Sequence, residues 1–351
     1  MKGAQMGRKG FIVLFVGLCA GLVPFSGFCV AVDWVSGDVA YRHLQGEWEE
    51  LDVGMVLVAG DIVKTGMSSE ATLVDDGTEV FILENSTFTV SEKYVDEKRK
   101  PGFMLFLGRM KFKLARARKE EPEIQTQTVN LTIRGTEFEV GSGYDGSTLV
   151  VIDDGMVAVK GNTRELVLEK GEGTEVAFGE EPTEKFEVMT RVIDWNDWLK
   201  LSKESVEGNE GVLLGKILTR FREIEAQIRE NEKIREDALK QKEEYLKKRD
   251  EYLAQEKQQE ATEYSQKGRS VSKKAFHAFV NIRFLALSCI GLVDLADSVY
   301  SGVEDPAKEL TDTYDEIRSI YAQIEKKYVF EGDRERIEKK AEEKRGCRKL
   351  F

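Results

Sequence analysis

The apolar residues of this chain change their spacing once, near residue 190. Between Val32 and about Met189 they alternate with period two, and from Gly211 onward they recur every three or four residues. Side chains face opposite ways along a strand and return every 3.6 residues along a helix, so the two halves need different partners for burial. The reading is an α+β multidomain chain, an all-β domain followed by an elongated α-helical one. The expected boundaries are 32–190 for the β-domain, 191–208 for a linker and 209–351 for an antiparallel bundle or coiled coil.

The β-half is a series of short strands punctuated by Gly, Asn and Asp, as in "GDIVKTG", "EATLVDDGTEVFIL" and "STFTVSEKY". "LVDDGTEVFI" (73–82) and "VIDDGMVAVK" (151–160) resemble each other. Asp-Gly between apolar runs signals a hairpin, because a type I′ turn needs φ > 0 at both central residues. Both segments are therefore expected to be hairpins.

In the second half, Leu214, Ile217, Phe221, Ile224 and Ile228 make a helical stripe. Leu239, Leu246 and Leu253 then recur every seventh residue beside Tyr245 and Tyr252. Asn231, Arg235, Lys242 and Arg249 interrupt that seam, which favours packing within the chain at least as much as a long dimeric coil. Residues 275–300 are the most apolar segment of this half, but Arg283, Asp294 and Asp297 leave 284–293 as its longest stretch free of charge. That falls well short of the ~20 residues that span a bilayer, so a buried helix is expected, with membrane contact as the rival. A last helix follows Pro306, giving three in all.

Lys2, Arg8 and Lys9 precede a short apolar run, Gly10–Val23, and Cys29-Val30-Ala31 offers small residues around a cut. This is the pattern of a signal peptide over 1–31, which implies export to the periplasm or cell envelope with Val32 as the new N-terminus. The full chain carries 52 basic and 64 acidic residues, a net charge of −12. Such a balance disfavours nucleic acid as a partner. Removal of 1–31 leaves Cys289 and Cys347, whose pairing the spacing does not decide.

No catalytic residues, cofactor or metal site are expected. His43 and His277 are the only two histidines, and no G-x-S-x-G elbow accompanies them. "GSGYDG" (141–146) matches G-x-G-x-x-G, but a strand follows it, so no helix N-terminus awaits a pyrophosphate. Asp75-Asp76 and Asp153-Asp154 read as turn residues rather than as carboxyls facing each other across a substrate.

Several ordered motifs resemble the FecR domain, over about Gly54 to Thr174. Gly60, Asp61, Thr65, Ser69, Ala71, Asp76, Gly77 and Thr78 stand where that family favours these residue types, and "LGRMKFKL" (107–114) places a Gly before an alternating strand. "TVNLTIRGTEFEV" carries Arg134, Gly135, Thr136 and Phe138, matching the family's Arg-Gly-Thr-x-Phe. Physically, Gly135 suits a bulge or corner and Arg134 can bond several carbonyls there. The motif is expected to be structural, with an anionic ligand at Arg134 as the rival. The resemblance implies an exported, non-enzymatic β-domain. Family members act as the periplasmic part of sigma-factor regulators, behind a cytoplasmic segment and a spanning helix that this N-terminus does not match. The expected partners are an envelope protein or a glycan, with a homo-oligomer through the helices left open.

Overall fold

The computed structural model describes residues 29–328, except 45, 76, 115–121, 134–136, 183 and 191–192. The β-half forms two sheets that share one long strand. The first sheet runs, in spatial order, β4 (Val56–Val58), β1 (Cys29–Ser36), β6 (Glu70–Asp75), β7 (Thr78–Ile82), β9 (Lys98–Lys113), β12 (Glu137–Ser142), β13 (Thr148–Asp154), β16 (Glu172–Val176) and β17 (Phe186–Glu187). The second runs β3 (Glu49–Glu50), β2 (Val39–His43), β5 (Asp61–Thr65), β8 (Thr87–Val95), β9 again, β10 (Glu123–Gln125), β11 (Asn130–Ile133), β14 (Met156–Lys160) and β15 (Glu165–Glu169). All pairs are antiparallel except β9–β10.

Strand β9 belongs to both sheets because it bends at Gly108. Residues 98–107 pair with β8, and residues 108–113 pair with β12. Gly108 has φ +91°, and a Cβ there would lie 2.5 Å from the Ser86 Cα. Only glycine meets both demands. Inward residues of both sheets, among them Phe88, Phe103, Leu105, Phe112, Phe138 and Ile152, share one core.

The two Asp-Asp-Gly segments part ways. β6 and β7 form the expected hairpin, with Asp75 opposite Thr78 and Gly77 at φ +76°. β13 and β14 do not pair: β13 lies in the first sheet, β14 in the second, and Gly155 (φ +92°) turns the chain between layers. The local signal is the same, and the partner strands decide the outcome. "GSGYDG" does close a hairpin, between Ser142 and Thr148.

Among the described residues four α-helices follow: α1 (Trp195–Glu204), α2 (Glu210–Ala254), α3 (Gln258–Ser301) and α4 (Lys308–Tyr328). The last three are those expected. Helix α1 lies inside the expected linker, 191–208. Asp194 caps it by accepting from the Asn196 and Asp197 N–H groups. Its Trp198 is buried with Leu149 and Val151 against the first sheet. Gly141 and Gly143 allow that approach: a Cβ at Gly141 would lie 2.8 Å from Trp195 and 2.9 Å from Trp198.

Helix α3 packs on the outer face of the second sheet. Ile62, Met104 and Phe106 point there, and they share a cluster with Leu214, Ile217, Phe221, Leu287, Ile290 and Leu292. Along β9, Phe103 and Leu105 therefore face the sandwich core while Met104 and Phe106 face the helices. Asn281 seals an open stretch of β8: its side-chain amide accepts from the Tyr94 N–H at 2.7 Å and donates to the Tyr94 carbonyl at 2.9 Å. The apolar segment 275–300 thus lies against protein. Its helix passes the length and composition test for a membrane span, yet 67% of the apolar window is buried within the chain.

Candidate functional site

The motif residues of the β-half sit where strands turn or cross. Gly60 (φ +102°) donates its N–H to the Val90 carbonyl and accepts from the Leu44 N–H, both at 2.9 Å. The carboxylate of Asp61 is buried: one oxygen lies 2.6 Å from His43 Nδ1 and the other accepts the Val58 N–H at 2.8 Å. Thr65 donates to the Leu83 carbonyl at 2.6 Å and accepts the Ser86 N–H at 2.9 Å. Ser86 Oγ in turn accepts the Arg109 N–H at 2.9 Å, just past the bend in β9. Ser69 Oγ accepts the Asp38 N–H. Ala71 and Thr78 are buried.

Asp76, Arg134, Gly135 and Thr136 lie outside the described residues. Their flanks are informative: Ile133 ends β11 in the second sheet, and Glu137 opens β12 in the first, with a register shift at Glu137/Phe138. Phe138 is buried and stacked on Phe112, centroids 4.9 Å apart.

Asp61→Ala is expected to leave the buried His43 Nδ1 and the buried Val58 amide without their partner. Destabilisation of about 3 kcal/mol should follow, at the upper end for unsatisfied buried groups. Urea unfolding measures it, and a midpoint unchanged from wild type would show that the pair carries no structural weight.

The polar groups of the outer first sheet neutralise one another. Lys111 Nζ lies 2.8 Å from Glu137, 3.0 Å from Asp153 and 3.6 Å from Glu139. Burial pulls its pKa down, but hydrogen bonds to Glu137 and Asp153 prevail and hold it above the usual lysine range. Asp154 turns instead toward Lys170, 3.7 Å away, so Asp153 and Asp154 do not face a common ligand. His277 is stacked on Tyr94 at 3.9 Å, and burial followed by the charge of Lys273 lowers its pKa. The two histidines are thus held by different partners, His43 in the second sheet and His277 on α3. Among the described residues no group of three His, Cys, Asp or Glu side chains could hold a metal ion. Cys289 is a free, fully buried thiol whose pKa burial raises, and Cys347 lies outside the described residues.

The other candidate surface is the far part of the α2–α3 hairpin. Lys327 and Tyr328, at the end of the described part of α4, both bond to Glu232. The loop after β8 reaches α3 at Lys273, 3.8 Å from Glu97. Between those points, 233–254 and 258–272, the hydrogen bonds, ion pairs and ring contacts of the described residues join α2 and α3 only to each other. At 1.5 Å per residue the 15 residues of α3 in this arm make it about 20 Å long. Ala261, Gly268 and Ala275 recur every seventh residue on its buried face, letting the helices approach closely. Opposite them are Ala238 and the tyrosines: Tyr252 stacks on Tyr264 at 5.4 Å, and Lys248 and Lys267 lie over Tyr264 at 5.5 and 4.8 Å. The expected leucine seam is therefore displaced by one residue. Leu239 and Leu246 are half-buried and Leu253 is 44% exposed, because Ala238, Tyr245 and Tyr252 occupy the inward positions.

Some of these positions carry a sequence signal of their own. The unbroken apolar run "FMLFL" (103–107) marks a strand covered on both faces, as β9 is. Asn281 carries no such signal, since an amide on a helix announces no particular strand edge.

Together these features define an α+β protein in which a two-sheet β-domain, stapled at its strand crossings, bears a long helical arm. The model of the FecR protein family matches residues 61–158, less than a third of the chain, and this part of the β-half is similar to that domain. Two crystal structures of a candidate anti-sigma factor from Parabacteroides distasonis are similar at 16% identity and a TM-score of 0.31, over 36% of this chain and 59% of that one. This chain thus spans less than two thirds of that protein. No curated protein matches.

Proposed function

We propose that this is a non-enzymatic, exported FecR-type envelope protein whose β-domain is a rigid base and whose α2–α3 arm engages a partner protein. The arm carries this reading: about 20 Å of paired helix whose described contacts are confined to the pair. A helix pair of that length contributes little to the core of the β-domain, so its conformation is available for association. The FecR match supports the regulatory class and the absence of a catalytic role. A second reading, a membrane-associated sensor, rests on the apolar window of α3. The packing of that window on Met104 and Phe106 favours the first reading.

Replacing 236–272 by a short loop tests it. The shortened protein is expected to keep the melting transition of the β-domain while losing partner capture from envelope extract or self-association by light scattering. Equal association by both proteins would overturn the role of the arm. Extraction by carbonate from the membrane fraction is expected, and resistance to it would favour the sensor reading.

A further inference from the structure

The structure places the start of the folded domain upstream of the cut that the sequence suggests. Strand β1 begins at Cys29, and Cys29, Val30 and Ala31 pair with Val58, Leu57 and Val56 of β4. Val30 is 1% exposed, in the sandwich core beside Leu57 and Leu73. Strand β4 is an edge strand of three residues, and this register with β1 is its pairing within the sheet. A cut after Ala31 would remove all three partners of β4 and leave a hole where Val30 stood. The remaining β1, from Val32 to Ser36, would keep its pairing with β6 and the two backbone hydrogen bonds of Val32 with Gly54 and Met55, but no residue of β4.

We propose that the leader is removed no later than the Cys29–Val30 bond, so that the mature protein keeps Val30 and Ala31 in β1. This deepens the export reading, on which it rests. The triplet Gly27-Phe28-Cys29 supplies small residues at −3 and −1 of that bond, as Cys29-Val30-Ala31 does two residues later. Sequence alone does not rank the two triplets, and burial does. Peptide hydrolysis there adds water across the bond, leaving a carboxylate on Cys29 and a free amine on Val30. The upstream product takes Lys2, Arg8 and Lys9 with it in either case, so charge does not distinguish the cuts. The surviving β-pairs do.

Two experiments test it. The full chain with its own leader is expressed in a Gram-negative host, and the exported protein is read by intact mass and N-terminal sequencing. An N-terminus at Val30 or upstream of it, with the leader gone, is expected; Val32 would overturn the inference while leaving export intact. An intact Met1 would overturn both. Independently of the host's peptidase, chains that start at Val30 and at Val32 are compared in the cytoplasm. The Val30 chain is expected to melt like the exported protein, and the Val32 chain several degrees lower, consistent with the loss of one core side chain. Identical melting of the two would remove the structural argument. Ala31→Leu should leave processing of the full chain unchanged, and Cys29→Leu, which places a bulky residue at −1, should slow it where sequencing finds Val30; slowing by Ala31→Leu would assign the cut to Ala31.

Discussion

Gly108→Val is expected to unfold the β-domain or bring it close to unfolding. Two costs add at this position. A β-branched residue at φ +91° is strained by about 1–3 kcal/mol. Its Cβ would also meet the Ser86 Cα at 2.5 Å, backbone that moves only if the β5, β8 and β9 contacts move with it; overpacking of this kind adds about 1–3 kcal/mol. The sum is a large share of the roughly 5–15 kcal/mol that holds a typical domain together. Gly171 provides the control. It has φ +79°, and a Cβ there would meet nothing within 4 Å, so Gly171→Val should show the strain without the crowding. Urea unfolding followed by tryptophan fluorescence compares them. Equal losses at the two sites would show that the crossing of β9 over Ser86 is not what requires glycine.

The β-half expressed without its helices, residues 29–190, is expected to aggregate. Ile62, Met104 and Phe106 are each no more than 4% exposed in the intact chain, and Leu44 and Phe178 join them in the cluster with α2 and α3. Each would lose about 2 kcal/mol of burial if the helices were removed, together comparable with the whole stability of a domain. The alternation of the sequence suggested two halves that fold apart; this shared cluster predicts that they do not. Light scattering of the fragment decides it: a monomer with the melting transition of the intact protein would restore the separate-domain view. Met104→Ser with Phe106→Ser should improve the solubility of the fragment and destabilise the full chain, a pairing of effects that an independent domain would not show.

The site residues differ in how far the sequence disclosed them. Gly77 was readable as a turn residue because its chemistry is local, positive φ at a glycine between two strands, whereas Gly60 and Asp61 entered only through the resemblance. The partner of Asp61 was not readable. His43 is 18 residues away, and only the pairing of β2 with β5 sets it against the carboxylate. Trp195 and Trp198 announce no partner either, since the glycines that receive them belong to a hairpin more than 50 residues earlier.

By itself the sequence determined the two classes of secondary structure, the order of the halves, the β6–β7 hairpin and the three long helices. Each of these follows from spacing along one stretch of chain, where period and turn chemistry act at short range. The tertiary structure decided which strands share a sheet, so that one Asp-Asp-Gly closes a hairpin and its near copy crosses between layers. It also turned an expected linker into α1, displaced the leucine seam by one residue and set α3 on the second sheet. Those outcomes depend on what covers a given face, and burial is settled between segments far apart in the chain. Val30 shows the difference most simply: in the sequence it is the middle of a cleavage triplet, and in the fold it is core.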